Sequence, residues 1–206
     1  MSKKEVSISS LSDFLPQGTF ELVEPFLLHY KVHLTITKSR ATVLGDYRNA
    51  IEGKAHRISV NGNLNQYAFL ITLLHELAHL ITYVRFGNKV ASHGTEWKDQ
   101  FSDLLKHFIQ SNIFPQDIRL QIAASMKSPA ASSCADDALM RVLRKYDAVK
   151  ENHFLVEEIE QGRCFQTKNG KVYKREEKIR KRIRAIEVDT GRVYLFSPIY
   201  EVMKVD

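Results

Sequence analysis

The segment LITLLHELAHLITYV, residues 70–84, constrains this chain more than any other. It is apolar almost all round, so a helix built from it must be enclosed by other parts of the fold. Yet His75, Glu76 and His79 sit at its centre. A buried carboxyl and two buried imidazoles each cost on the order of several kcal/mol unless they find partners. The same groups argue against a membrane span, because a bilayer would exact a similar cost. The segment therefore reads as the central helix of a globular domain, with a partner still to be found for its three polar groups.

A metal ion is the simplest single partner. Residues four apart on a helix lie about 6 Å along the axis and nearly on one face, so His75 and His79 can aim both imidazoles at one ion. This is the arrangement of zinc proteases that carry HExxH. Glu76 is turned about 100° from His75, which puts it beside the ion rather than on it, where it can take a proton from water. Tetrahedral zinc needs a third protein ligand and keeps its fourth position for water. The metzincin pattern would place that ligand six residues past His79 and a glycine three past it, but Arg85 and Thr82 stand there, so that class is excluded. His93 and Glu96 both follow Gly87, close to the next helix start. His93 is the better candidate, because imidazole suits zinc and Gly94 allows the backbone a tight approach. Glu96 is the second candidate, as a ligand or as a hydrogen-bonding group behind the ligands. The other histidines, His29, His33, His56, His107 and His153, are scattered and read as ordinary surface or core residues.

Around the motif the pattern predicts an α+β fold. Residues 19–30 have helical spacing, with Pro25 a candidate for a kink or an early stop. KVHLTITKS, ATVLGDYR and AHRISVNGN read as strands. The long helix is expected from an N-cap at Asn65 to Phe86, with Gly87 as its stop, and an amphipathic helix follows over 95–111. A shorter helix is expected after Pro115, an irregular stretch over 125–137, one more helix in DALMRVLRKYD, and a β-rich tail with turns at Asn169–Gly170 and Asp189–Thr190–Gly191. A length of 206 residues suits one domain plus an appendage. The opening MSKKEVSISSLSDFLP has no apolar run of signal-peptide length, and the two cysteines, Cys134 and Cys164, form neither a disulfide framework nor a metal knuckle. Both features lead us to expect a cytoplasmic protein.

The net charge of +6 is unevenly placed. Residues 1–160 hold 18 Lys and Arg against 18 Asp and Glu, whereas residues 161–206 hold 12 against 6. Within the tail, KIRKRIRA read as one strand would put Lys178, Arg180, Arg182 and Arg184 on one face at about 7 Å spacing, near the phosphate separation of a nucleic-acid strand. Ile179, Ile183 and Ala185 would pack on the other face. A DNA contact is therefore expected at this end of the chain, against the simpler reading of a solvated edge strand.

HELAH followed by HGTEW resembles the SprT-like metalloproteases, the group that includes bacterial SprT and the eukaryotic DNA-dependent protease Spartan. VLGDYR and RISVNGNL resemble the strands that precede the motif helix in that family, so the resemblance covers most of residues 15–112. It implies a zincin-like domain with one zinc held by His75, His79 and His93, and Glu76 as the catalytic glutamate. Its substrates would be proteins attached to or held on DNA. Many bacterial members end in a zinc ribbon, but here only Cys164 remains, and Glu187 and Thr190 stand where a knuckle would precede Gly191. The tail is then a metal-free relic of the ribbon. The expected layout is a catalytic domain over 1–127, a linker and helix over 128–160, and a basic β-rich module over 161–206. The substrate is expected to lie extended along an edge strand near Ile58 and Val60. Two rivals remain. One is a zinc-containing nucleic-acid-binding or transcription-elongation accessory protein with little proteolysis, which an intact Glu76 disfavours. The other is a general peptidase with no DNA role.

Overall fold

Asn65 begins the element that organises the first half of the molecule. In the computed structural model, which describes residues 8–40, 43–51, 53–126 and 136–205, its side chain accepts a hydrogen bond from the Ala68 amide and so caps a 21-residue helix. Cys134 and most of the expected linker lie outside the described residues. The chain divides into two compact units, Met1–Asp147 and Ala148–Asp206.

The first unit runs α1 (Phe20–His29), β1 (His33–Thr37), β2 (Gly45–Arg48), β3 (Arg57–Asn61), α2 (Gln66–Phe86), α3 (Thr95–Gln110), α4 (Gln116–Ser125) and α5 (Asp137–Arg144). Helix α1 continues through Pro25 without a break. Gly87, at φ 62°, supplies the positive dihedral that ends α2, as expected from its place in the sequence. Helix α2 is long and apolar enough to cross a membrane on composition alone, yet 78% of that window is buried inside the protein. Phe69, Leu70, Leu73, Leu74, Leu77 and Leu80 are all completely enclosed. Burial of each such side chain contributes roughly 1.5–3 kcal/mol. Helix α3 covers one side of α2 with Trp97, Phe101, Leu104, Leu105 and Phe108, the face its periodicity predicts.

The three strands are ordered β1-β3-β2, with β3 parallel to β1 and antiparallel to β2. This corrects one expectation. Ile58 and Val60 lie on the central strand, whose main chain is bonded on both sides and has no free edge, whereas β2 is the edge strand that packs on α2. A second difference concerns α5, which the sequence placed in a connecting segment. It belongs to the first unit: the Tyr146 hydroxyl donates to Asp117 on α4 at 2.7 Å, and the Asn65 amide donates to the Leu143 carbonyl at 3.0 Å.

The second unit is an antiparallel sheet of β4 (His153–Leu155), β5 (Cys164–Gln166), β6 (Val172–Ile179), β7 (Arg182–Glu187), β8 (Val193–Phe196) and β9 (Glu201–Val205), in the order β4-β9-β5-β6-β7-β8. Its own small core gathers Val156, Ile159, Phe165, Tyr173, Ile183, Ala185 and Val202. At the positions where a knuckle was considered, Glu187 is buried. Its carboxylate is paired with Lys171 at 2.6 Å and accepts hydrogen bonds from the Thr190 and Tyr194 hydroxyls at 2.6 and 3.3 Å. The lysine and the hydroxyls hold this carboxyl below the usual carboxylate range.

The basic strand expected over KIRKRIRA does not exist as one strand. The chain reverses at Arg180–Lys181, so Ile179 stands opposite Arg182, and Lys178 opposite Ile183. An irregularity in register between Arg175 and Lys178 shifts the pairing. Cross-strand partners share a face, so Lys178 sits on the Ile183 side, Arg182 and Arg184 alternate to the other side, and Arg180 is in the turn. The four cations therefore do not form one row. Ile183 and Ala185 are core residues as expected, but Ile179 is 41% exposed. The turn escaped a reading by composition because it contains no glycine, asparagine or proline.

Candidate metal centre

Helix α2 brings His75 and His79 to one side by its four-residue spacing, and the segment after Gly87 returns His93 to the same point, just before Gly94 begins α3. The Nε2 atoms of His79 and His93 lie 3.2 and 3.4 Å from that of His75. One ligand atom from each of the three residues falls within 4.8 Å of the others. Zinc–nitrogen bonds of about 2.0–2.1 Å imply a tetrahedral edge of about 3.3–3.4 Å between ligand atoms. Two of the three spacings match that edge and the third lies within 4.8 Å, so the three imidazoles could hold one tetrahedral ion.

The electrostatics agree. Burial pushes the His75 imidazole down to about 3 and that of His79 to about 4, with the neighbouring imidazoles adding to the fall. His93 is lowered by burial as well. All three are therefore neutral at pH 7, the form that binds metal. Trp97, fully buried on α3, packs its ring against all three, with centroids at 4.7 Å from His75, 5.3 Å from His79 and 4.7 Å from His93.

Glu76 is buried and faces β2. A Cβ at Gly45 would lie 2.5 Å from its Oε1 and 2.7 Å from the Thr72 methyl, so only glycine lets the edge strand approach the carboxyl this closely. Burial, reinforced by the charge of Asp46 and opposed by Arg40, raises the Glu76 carboxyl to about 8. Arg40 is itself clamped, donating to Asn61 at 2.8 Å and to the Ser59 hydroxyl at 3.0 Å. Asn61, buried at the end of β3, returns hydrogen bonds to the Arg40 and Val43 carbonyls at 3.3 and 2.9 Å. Together these two side chains hold the approach to β2.

One further residue borders His79 that the sequence did not single out, and it is held by a second. The Tyr47 ring on β2 lies parallel to the His79 ring at a centroid distance of 6.5 Å, and its hydroxyl is 2.9 Å from His56 Nδ1. The Ala50 amide donates to the same nitrogen at 3.2 Å, so His56 carries its proton on Nε2 and Tyr47 donates to it. Alternation within VLGDYR contained Tyr47, but no spacing rule links it to a helix residue. Glu96 lies outside the imidazole cluster, in the first turn of α3, with its carboxylate turned towards Gly94. Lys178, Arg180, Arg182 and Arg184 belong to the second unit.

The SprT-like family model matches residues 18–128, more than half of the chain. The chain belongs to the SprT-like family. The match holds the imidazole cluster, Glu76 and the three-stranded sheet, and it stops before the C-terminal module. A segment of 43 residues is 49% identical to Protein SprT of Pectobacterium carotovorum subsp. carotovorum, covering 20% of this chain and 25% of that protein. No solved structure matches the chain. The three imidazoles that could hold a metal ion all lie within the span that the family model matches.

Proposed function

We propose that this chain is a zinc-dependent endopeptidase of zincin type that acts on proteins associated with DNA. The observation that carries the reading is the convergence of His75, His79 and His93 at the tetrahedral spacing, with Glu76 buried on the same helix beside them. Zinc held by these imidazoles would supply the Lewis acidity that polarises a peptide carbonyl and acidifies water. Glu76 is the base that takes the proton from the attacking water and then delivers it to the leaving amine. The free edge of β2 is the natural site for an extended substrate, which would add main-chain bonds to it. Gly45 keeps that edge against the Glu76 carboxyl. The expectation of pairing at Ile58 and Val60 is thus moved to the neighbouring strand.

The DNA-linked part of the reading is supported by the cation surplus of residues 161–206 and by the family resemblance. The testing experiment measures zinc per chain and cleavage of casein, with and without DNA, for the wild type and Glu76→Gln. The expected result is about one zinc in both proteins, with turnover at least about 10²-fold lower in the variant. DNA should stimulate the wild type. Equal turnover in the two proteins would remove Glu76 from the mechanism and favour a nucleic-acid-binding protein without proteolysis. Cleavage indifferent to DNA would favour a general peptidase.

A further inference from the structure

The β6–β7 hairpin extends beyond its sheet. Strand β5 accompanies β6 only as far as Lys174, with a last pair of bonds between Arg175 and the segment at 162–163, and β8 accompanies β7 only from Ile183 onward. Among the described residues, 176–182 therefore form a two-stranded ribbon with no third strand on either side. Lys178, Arg180, Lys181 and Arg182 are all exposed at its end. No acidic group pairs with any of these four among the described residues. Elsewhere on the module Lys171 pairs with Glu187, Lys168 with Glu201 and Arg184 with Glu177.

The turn itself is unusual in composition. The turns between β5 and β6 and between β7 and β8 place glycine at the positive dihedral, Gly170 at φ 84° and Gly191 at φ 68°. This one places Arg180 there, at φ 54°. A left-handed dihedral at a side-chain-bearing residue costs about 1–2 kcal/mol, and hairpin turns ordinarily avoid the cost with glycine or asparagine. The fold tolerates it at the one turn where the result is two adjacent cations at a projecting tip.

We propose that residues 178–182 are a groove-inserting arm for double-stranded nucleic acid, which rests on the nucleic-acid reading above and specifies its form. A two-stranded ribbon fits the major groove, and cations on both strands of the ribbon meet the phosphate backbones on both sides of that groove. Single-stranded nucleic acid is instead held on exposed aromatic platforms. The tip has none: Phe165, Tyr173 and Phe196 pack on one another inside the module, with ring centroids 4.9–5.7 Å apart. That difference selects the duplex.

The test is fluorescence anisotropy of a labelled duplex of about 20 base pairs and of its separate strand, titrated with the full chain across a salt series. The wild type should prefer the duplex. Arg180→Glu with Lys181→Glu should weaken duplex binding at least about tenfold near 0.1 M salt and reduce the log–log salt slope by about 2, the loss of two phosphate contacts. Arg180→Gly with Lys181→Gly suits the turn's own dihedral, so misfolding would not account for a loss, and it should weaken binding in the same direction. Lys174→Glu with Arg192→Glu makes an equal charge change away from the tip and should cost less than about threefold. If the tip variants bind duplex like the wild type, or the off-tip variant loses as much, the arm is wrong while the nucleic-acid reading stands. Tighter binding of the single strand also overturns the arm alone. If the wild type binds neither probe, both proposals fall.

Discussion

Helix α2 and the β6–β7 hairpin each carry a short run of ionisable residues, and the fold treats the two runs in opposite ways. His75 and Glu76 are buried among completely enclosed leucines, with their proton affinities pushed far from the ordinary values. Lys178, Arg180, Lys181 and Arg182 extend into solvent beyond the last flanking strand. Burial makes a group's position and protonation sensitive to every neighbour, which suits chemistry at one point. Exposure leaves charge and little else, which suits contact with a polyanion. The contrast teaches that HELAH must be correct atom by atom, whereas KIRKRI needs only its cations and its projection.

The largest expected effect lies at the centre. His75→Ala or His79→Ala should reduce zinc from about one per chain to almost none, and His93→Ala should weaken occupancy severely, as measured by elemental analysis after dialysis. Glu96→Ala should keep its zinc. Full occupancy in His93→Ala together with loss in Glu96→Ala would reassign the third ligand.

Next comes a pair of substitutions inside the basic hairpin itself. Ile183→Glu buries a charge in the module core and should destabilise that module by roughly 3–5 kcal/mol. Ile179→Glu, at a position 41% exposed, should stay within about 0.5 kcal/mol. Thermal denaturation of the two variants decides whether the hairpin turns where the register places it. Equal damage would restore the single amphipathic strand.

A smaller effect is expected from one methyl group at the buried site. Gly45→Ala places a carbon 2.5 Å from Glu76 Oε1, so the strand or the carboxyl must shift. Overpacking of this kind costs about 1–3 kcal/mol, and turnover should fall more than substrate binding if the displaced group is the base proposed above. A variant with wild-type turnover would show that β2 does not constrain Glu76.

The smallest effect is a pair of opposed pH slopes in the metal-free protein. His75 and His79 titrate below their ordinary 6.5, at about 3 and 4, so the unfolded chain binds more protons and stability falls as pH drops from 6.5 towards 4. Glu76 titrates above its ordinary 4.5, at about 8, so the folded chain binds more protons and stability falls as pH rises from 4.5 to 8. Glu76→Gln should abolish the second slope and keep the first. Denaturation midpoints in chelator across pH 5–8 would expose an error if the variant retained both.

Legibility divided along local and non-local lines. The cap at Asn65, the stop at Gly87, the face of α3 and the candidate ligands could be read because each follows from spacing within one element or across one short loop. The edge strand was misassigned because strand order is not written in any strand: β3 lies between β1 and β2 through a crossover, and only pairing reveals which strand is bonded on both sides. The hairpin was misread because KIRKRIRA alternates well enough to pass for a strand, and no turn residue interrupts it. Tyr47, His56, Arg40 and Asn61 surround the site from strands and loops distant in sequence, where periodicity has no reach.

By itself the sequence determined the central helix, its two imidazoles and its carboxyl, since a 3.6-residue repeat fixes which side chains share a face. It also determined that the cation surplus lies at the end of the chain. Only the tertiary structure decided that His93 returns to within 3.4 Å of His75, that Gly45 presses an edge strand onto Glu76, and that the cations meet at a hairpin tip rather than along a row. The reason is physical: local geometry is set by bonds between residues a few positions apart. The approach of distant segments is set instead by which apolar surfaces can be buried together, and that depends on the whole chain at once.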